Sequence, residues 1–401
     1  MQINKGIPSF PATLKQQASR SLNLAADWAV RNQIRDAWPA WNANKGRFPY
    51  HVIIDPRKRA QAPQMWSTCW KTARTAQGLY SAARVTGEPS HLDAANRAME
   101  YVATLQVFEP GYEDFRGSFR EDSPQGPHVA ARDGIEAVQG FIAGYLATKN
   151  ERYLRRAIEG AGFLLRAIDN DWWPFAIAWP LEGRVKHADY FFFYAGALVF
   201  AQLYGITGHK PYLTRGCIPW ADKILREHVR PDGALGVPQP AENTHHLVNQ
   251  GQLAGVYVND DGVGEALLCA YAVTGKRKYL DAAVGFADFW ADVTEELPLL
   301  AAHASVALFL ADVYRLTRDR KYLPKIEEYA RRILSLQCLK TKDPMLRGCF
   351  IGEDMATSYD KKSQPMDYVD LRITSYSLIA LAKIAARAPA QWGCAYSCFG
   401  W

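Results

Sequence analysis

The feature that most constrains this chain is a seven-residue pattern, T-x-x-x-x-Y/H-L, that recurs along it. It reads TGEPSHL from Thr86, TKNERYL from Thr148, TGHKPYL from Thr207, TGKRKYL from Thr274 and TRDRKYL from Thr317. A long apolar stretch such as GIEAVQGFIAGYLA precedes each copy, and an amphipathic one such as YLRRAIEGAGFLLRAI follows. The Thr-Gly or Thr-Lys step stops the first helix, and the Tyr/His-Leu pair opens the second with its apolar side inward. Each copy is the turn of an αα-hairpin, and self-similarity at this spacing fixes an architecture.

Helices that are apolar on nearly every side belong in a buried layer, and helices with one apolar stripe belong outside it. This predicts inner helices near 64–86, 128–148, 189–207, 260–274, 298–317 and 367–387. The outer helices fall near 17–35, 90–107, 151–168, 210–228, 277–292 and 320–336. Six of each closes a ring, so the expected fold is all-α, an (α/α)6 barrel or six-hairpin toroid, with residues 1–401 forming one domain. The first helix partners the last hairpin, which brings the chain ends together. An open solenoid is the competing arrangement, and it would keep a stricter period.

An apolar fraction of 48% and a charged fraction of 22% suit a globular chain with a large core. The 47 basic against 41 acidic residues leave +6 without a run of like charges, which argues against a nucleic-acid partner. The cysteines, 7 in all, show no CxxC pair and no zinc spacing, so reduced thiols are expected. The segment MQINKGIPSFPATLKQQ has no signal-peptide pattern and no long apolar run follows, which predicts a cytoplasmic protein with no membrane partner. GxGxxG, P-loop, GxSxG and HExxH motifs are absent, and His245-His246 alone do not make a metal site. No metal and no cofactor are expected.

Long segments return each outer helix to the next inner one and gather at one end of the ring, where function is expected. Two of them contain related turns, Arg116-Gly-Ser-Phe-Arg-Glu-Asp122 and Arg347-Gly-Cys-Phe-Ile-Gly-Glu-Asp354, each after a Leu-Gln pair. Glycine at positive φ is the plain explanation; the functional one sets Glu121, Asp122, Glu353 and Asp354 on the rim. Inner helices open at this end with polar residues: Asp133 and Glu136, three apart on one face; Asp189 after Lys186-His187; Asn259-Asp260-Asp261; and Asp367 with Asp370 and Arg372. Helix capping accounts for Asp189, Asp260 and Asp367 without catalysis. Asp133 is expected about a turn inside its helix, beside Gly134, where desolvation would raise its pKa toward acid catalysis. Trp66, Trp70, Trp172, Trp173 and Trp179 cluster at connectors and inner-helix starts, as packing residues or as platforms for sugar rings.

From Arg116 to Ala157 the chain resembles the six-hairpin glycosidase superfamily, and within it the unsaturated glucuronyl and rhamnogalacturonyl hydrolases. The matching elements are the Gly-Phe turn Arg116-Gly-Ser-Phe119, an inner helix bearing Asp133, the stretch GFIAGYLA, and the hairpin Thr148 to Leu154. The Trp-Gly-Arg-Gly-Asn-Gly-Trp segment of those hydrolases has no counterpart, which leaves other families of the superfamily open. The resemblance implies Asp133 as the catalytic acid; the expected activity is a glycoside hydrolase acting on uronate-containing oligosaccharides, in which Asp189 or Asp261 positions water. Trp66, Trp70, Arg132, Glu136, Trp172, Lys186, His187, Glu353 and Arg372 are the expected substrate contacts, in a monomer or homodimer. The alternatives are a polysaccharide lyase or uronate epimerase-type enzyme on the same toroid, and a toroid that binds glycans without turning them over.

Overall fold

A computed structural model describes residues 6–35, 45–49, 51–53, 68–170, 172, 175–187, 195–237, 251–258, 262–297, 300–352 and 368–392. The inner helices are α2 (Cys69–Thr86), α4 (Ala131–Thr148), α6 (Ala195–Thr207), α8 (Val263–Thr274), α10 (Leu300–Thr317) and α12 (Leu371–Ala385). The outer ones are α1 (Ala12–Asn32), α3 (Pro89–Thr104), α5 (Glu151–Asp169), α7 (Ile218–Glu227), α9 (Arg277–Asp292) and α11 (Leu323–Ser335), and a short α13 (Pro389–Trp392) follows α12. Each inner helix packs on the next, α12 packs back on α2, and α1 packs on both α12 and α11, so the ring is closed. One continuous apolar core runs through it. No helix among the described residues is long and apolar enough to cross a membrane.

The repeat pattern works as a double joint. In all five copies the Thr hydroxyl donates to the carbonyl four residues back and accepts the amide two residues on. For Thr148 these bonds run to Gly144 O (2.7 Å) and from Asn150 N (3.2 Å), and Thr86, Thr207, Thr274 and Thr317 repeat them. The residue after Thr turns left-handed: Gly87, Lys149, Gly208, Gly275 and Arg318 have φ between 60° and 76°. The Tyr/His position then stitches neighbouring outer helices together. His91 Nε2 meets Asp27 at 3.0 Å, Tyr279 OH donates to Asp222 at 2.7 Å, and Tyr322 OH donates to Asp288 at 2.6 Å.

The two related Gly turns are equivalent. In each, a G1 β-bulge places glycine at positive φ, 87° for Gly117 and 94° for Gly348, against the backbone of a neighbouring outer helix. The Gln before the turn ties both together: Gln106 Nε2 donates to Gly117 O and Arg156 O, and Gln337 Nε2 to Gly348 O and Ser21 O. A copy that sequence reading missed repeats this arrangement with Gln33, Gly46 and Phe48. A Cβ on Gly117 would overlap the Glu159 carbonyl. Gly117→Ala is therefore expected to cost about 2–3 kcal/mol in urea unfolding, from the left-handed backbone and the overlap together; an unchanged midpoint would remove the turn from the account of stability.

The outer helix expected at 210–228 differs in form. It begins as a π-turn, Tyr212–Cys217, before α7. Pro219 in the first turn of α7 has no amide to give and its ring crowds the preceding turn, so the ladder widens there. Cys269, buried in α8, is disulfide-bonded, which corrects the expectation of reduced thiols throughout.

Candidate functional site

Inner helices α4 and α12 start later than the apolar pattern suggests, because the residues just ahead of them are extended. Val129–Ala130 forms a short strand, β2, paired antiparallel with β3 (Phe175–Trp179), which pairs in turn with β4 (Arg184–His187). A second pair joins the two ends of the chain: β1 (His51–Ile53) runs antiparallel to β5 (Tyr368–Asp370), with His51 opposite Asp370. These strands frame the mouth of the ring over the N-termini of α2, α4 and α12.

Asp133 is consequently in the first turn of α4, not a turn deeper as expected. It is 1% exposed, and its Oδ1 accepts the Trp70 backbone N–H at 2.8 Å, an amide that helix α2 leaves without an internal partner. Burial pushes its carboxyl well above the usual carboxylate range, and the neighbouring charge of Glu121 pushes the same way. The Trp70 hydrogen bond and the Arg132 charge oppose this without reversing it. Glu121 stands on the rim with its carboxylate 2.6 Å from His128 Nε2, while its carbonyl accepts the Cys69 N–H. The His128 ring lies 6.4 Å from that of Trp179, which carries the Arg184 guanidinium at 3.5 Å.

Beside Asp133, Trp70 is covered by the guanidinium of Arg132 at 3.9 Å and the ammonium of Lys71 at 5.4 Å. Lys71 Nζ donates to Asp370 Oδ1 at 2.7 Å, and the same oxygen accepts the Arg372 N–H at 2.7 Å. Asp370, not the expected Asp367, is thus the N-cap of α12. Below this layer Arg74 pairs with both carboxylate oxygens of Glu136 and lies over the Tyr376 ring at 4.2 Å, linking α2, α4 and α12. Gln77 Nε2 adds a bond to Glu136 at 3.2 Å.

The structure therefore brings Asp133, Trp70, Arg132 and Arg372 to one mouth. Glu136 is engaged by Arg74 within the wall, and Trp172 stacks at 5.2 Å on Phe115, which also packs on Phe163 of α5. Trp66, Trp173, Asp189, Asp260, Asp261, Glu353, Asp354 and Asp367 lie outside the described residues, as do the His245-His246 pair and the His187 side chain; Lys186 is exposed on β4. Lys71, Arg74 and His128 were missed. Lys71 and Arg74 are three apart in an apolar inner helix, and that spacing of cations on one buried face was the available signal. His303 sits in the first turn of α10, but its ring packs on Tyr329 of outer helix α11, and burial lowers its pKa to about 4. Two cavities, about 580 Å³ by Asn96 and Tyr153 and about 640 Å³ between α1 and the far ends of α2 and α12, stand apart from this mouth.

A closed ring of six inner and six outer helices is shared with solved structures over nearly its whole length. Cellobiose 2-epimerase from Bacillus thermoamylovorans superposes with a TM-score of 0.65 at 14% identity, covering 92% of this chain and 98% of that one. An unsaturated glucuronyl hydrolase specific for heparin gives 0.62 at 16% identity, over 92% and 97%. A glycoside hydrolase family 76 (mannosidase) protein from Bacteroides thetaiotaomicron gives 0.63 at 13% identity, over 93% and 98%. The chain has the six-hairpin toroid fold. No protein-family model and no curated protein sequence matches it. At these identities the likeness to other six-hairpin toroids is one of fold, and what this toroid does rests on the residues at its mouth.

Proposed function

We propose that this six-hairpin toroid is a glycan-processing enzyme, a glycoside hydrolase acting on uronate-containing oligosaccharides with Asp133 as proton donor. One observation carries the reading: a carboxyl group buried at the mouth of the ring, with its pKa raised, held by a helix amide beside an indole and cationic side chains. A carboxyl that keeps its proton to higher pH than an ordinary carboxylate can deliver it to a departing glycosidic oxygen. Arg132 and Lys71 lie over Trp70, whose amide holds Asp133, and with Arg372 at the start of α12 they suit the carboxylate of a uronate. Asp189 or Asp261 supplies the water-positioning carboxylate in this reading. The oligosaccharide-processing names of the fold neighbours, hydrolases among them, agree with it.

Other neighbours are named epimerases, so the test must separate the chemistries. Purified protein is incubated with neutral, uronate-containing and unsaturated-uronate oligosaccharides, and products are read by mass and ultraviolet absorbance. Hydrolysis adds one water and shortens the chain, which is the expected result on a uronate substrate. Elimination leaves a new conjugated double bond, and epimerisation leaves the mass unchanged; either outcome replaces the hydrolase reading. Binding without any product replaces the enzyme reading altogether.

A further inference from the structure

The second Gly turn differs from its equivalents in one respect: it places two cysteines opposite each other. Cys338 N–H donates to Cys349 O at 2.8 Å, and Gly348 N–H donates to Cys338 O at 2.8 Å, with Gln337 and Phe350 bridged alongside. Opposed residues of antiparallel strands have Cα atoms about 4.5–5.5 Å apart. Disulfides span Cα separations of about 4.4–6.8 Å, a range that includes this spacing. Opposed side chains emerge on the same face, and each thiol shifts the ionisation of the other. The equivalent turn has Val107 and Ser118 at these places. The bulge therefore forms without a dithiol, and the cysteine pair is an addition to the hairpin.

We propose that Cys338 and Cys349 are an oxidation site, forming a reversible disulfide when the protein meets a peroxide. The Cys338 thiolate attacks one peroxide oxygen, the O–O bond breaks, and Cys338 sulfenic acid forms with release of hydroxide. The Cys349 sulfur then displaces the sulfenic oxygen, which leaves as water. With hydrogen peroxide, two thiols and one peroxide become one disulfide and two waters, so the oxidant takes up both electrons. Cys338 is the attacking group because it is partly exposed whereas Cys349 is buried. The hydrogen bonds from Cys349 and Thr341 lower the Cys338 thiol to about 7, with burial and Asp343 opposing, while burial raises Cys349. Cys69 and Cys217 are buried with thiols pushed up, Cys217 to about 12, and are poor competitors for the oxidant. The closed bond would clamp the hairpin that hydrogen-bonds to α1 and runs through Gly352 to its bridge with Val369 of β5.

The test exposes the whole protein to hydrogen peroxide, blocks remaining thiols with iodoacetamide, and analyses tryptic peptides by mass. The expected product joins ILSLQCLK to GCFIGEDMATSYDK, lighter by two hydrogens than the separate peptides, and dithiothreitol restores both thiols. In Cys349→Ser the reaction should stop at Cys338 sulfenic acid, trapped by dimedone, and in Cys338→Ser neither product should form. Recovery of both wild-type cysteines in alkylated form, or over-oxidation of Cys338 with Cys349 still alkylated, overturns the proposal. The wild-type digest decides it even where a variant fails to fold.

Discussion

Asp133→Asn is expected to lower turnover of the responsive oligosaccharide by roughly 10²–10⁴-fold, the usual contribution of a positioned acid. Binding and folding should stay near those of the wild type. The substitution is selective because the asparagine side-chain oxygen still accepts the Trp70 N–H, which preserves the hydrogen bond by which the carboxyl holds α2 to α4. What it removes is the transferable proton. In the wild type, kcat should fall as pH rises through the raised pKa of Asp133, since the acid is then lost; the variant should lack that limb. Stability moves in step. A carboxyl whose folded pKa lies above its ordinary value of 3.8 contributes stability that is complete below that value and is lost as pH rises through the folded pKa. The variant should therefore gain on the wild type as pH increases through that window. Wild-type turnover from Asp133→Asn would remove Asp133 from the chemistry.

The ring was legible in the sequence because the hairpin motif binds the chain to itself at short range. Thr148 needs only residues 144 and 150 to make its joint, so the same bonds recur wherever the pattern does. Inner and outer helices separated because α10 and α12 are buried along their length, while α5 buries one stripe. The mouth was less legible, for two physical reasons. Strands β2 and β5 are two and three residues long, too short to show alternation, so helices were begun too early and Asp133 was set too deep. The partners of its charged groups also lie far away in the chain: Lys71 meets Asp370 across almost three hundred residues, and nothing local in either segment announces the other. Trp172 shows a related difficulty: an indole beside a connector matches a sugar platform by composition, and nothing local in the sequence announces its stacking on Phe115.

Glu136 tests how far a buried carboxylate at this mouth can be separated from catalysis. Arg74→Met leaves the Glu136 charge in the wall without its bidentate partner, and Glu136→Met does the same to Arg74. Both partners are essentially buried, and stranding one member of such a pair is expected to cost about 3–5 kcal/mol in urea unfolding. The double variant removes both charges and refills similar volume, so it should recover most of that loss. It should not exceed the wild type, because Arg74 also covers the Tyr376 ring at 4.2 Å, a contact worth about 1 kcal/mol that methionine only partly replaces. A double-mutant cycle therefore predicts a coupling energy of about 2–4 kcal/mol with an unchanged denaturant slope; additive effects would mean the two side chains are not energetically paired. Activity then separates structure from chemistry. If Glu136 serves only to balance Arg74, the refolded double variant turns over substrate like the wild type, whereas a substrate contact would leave it stable and inactive. Asp133, three residues nearer the start of α4, admits no such rescue, since no second substitution restores a missing proton.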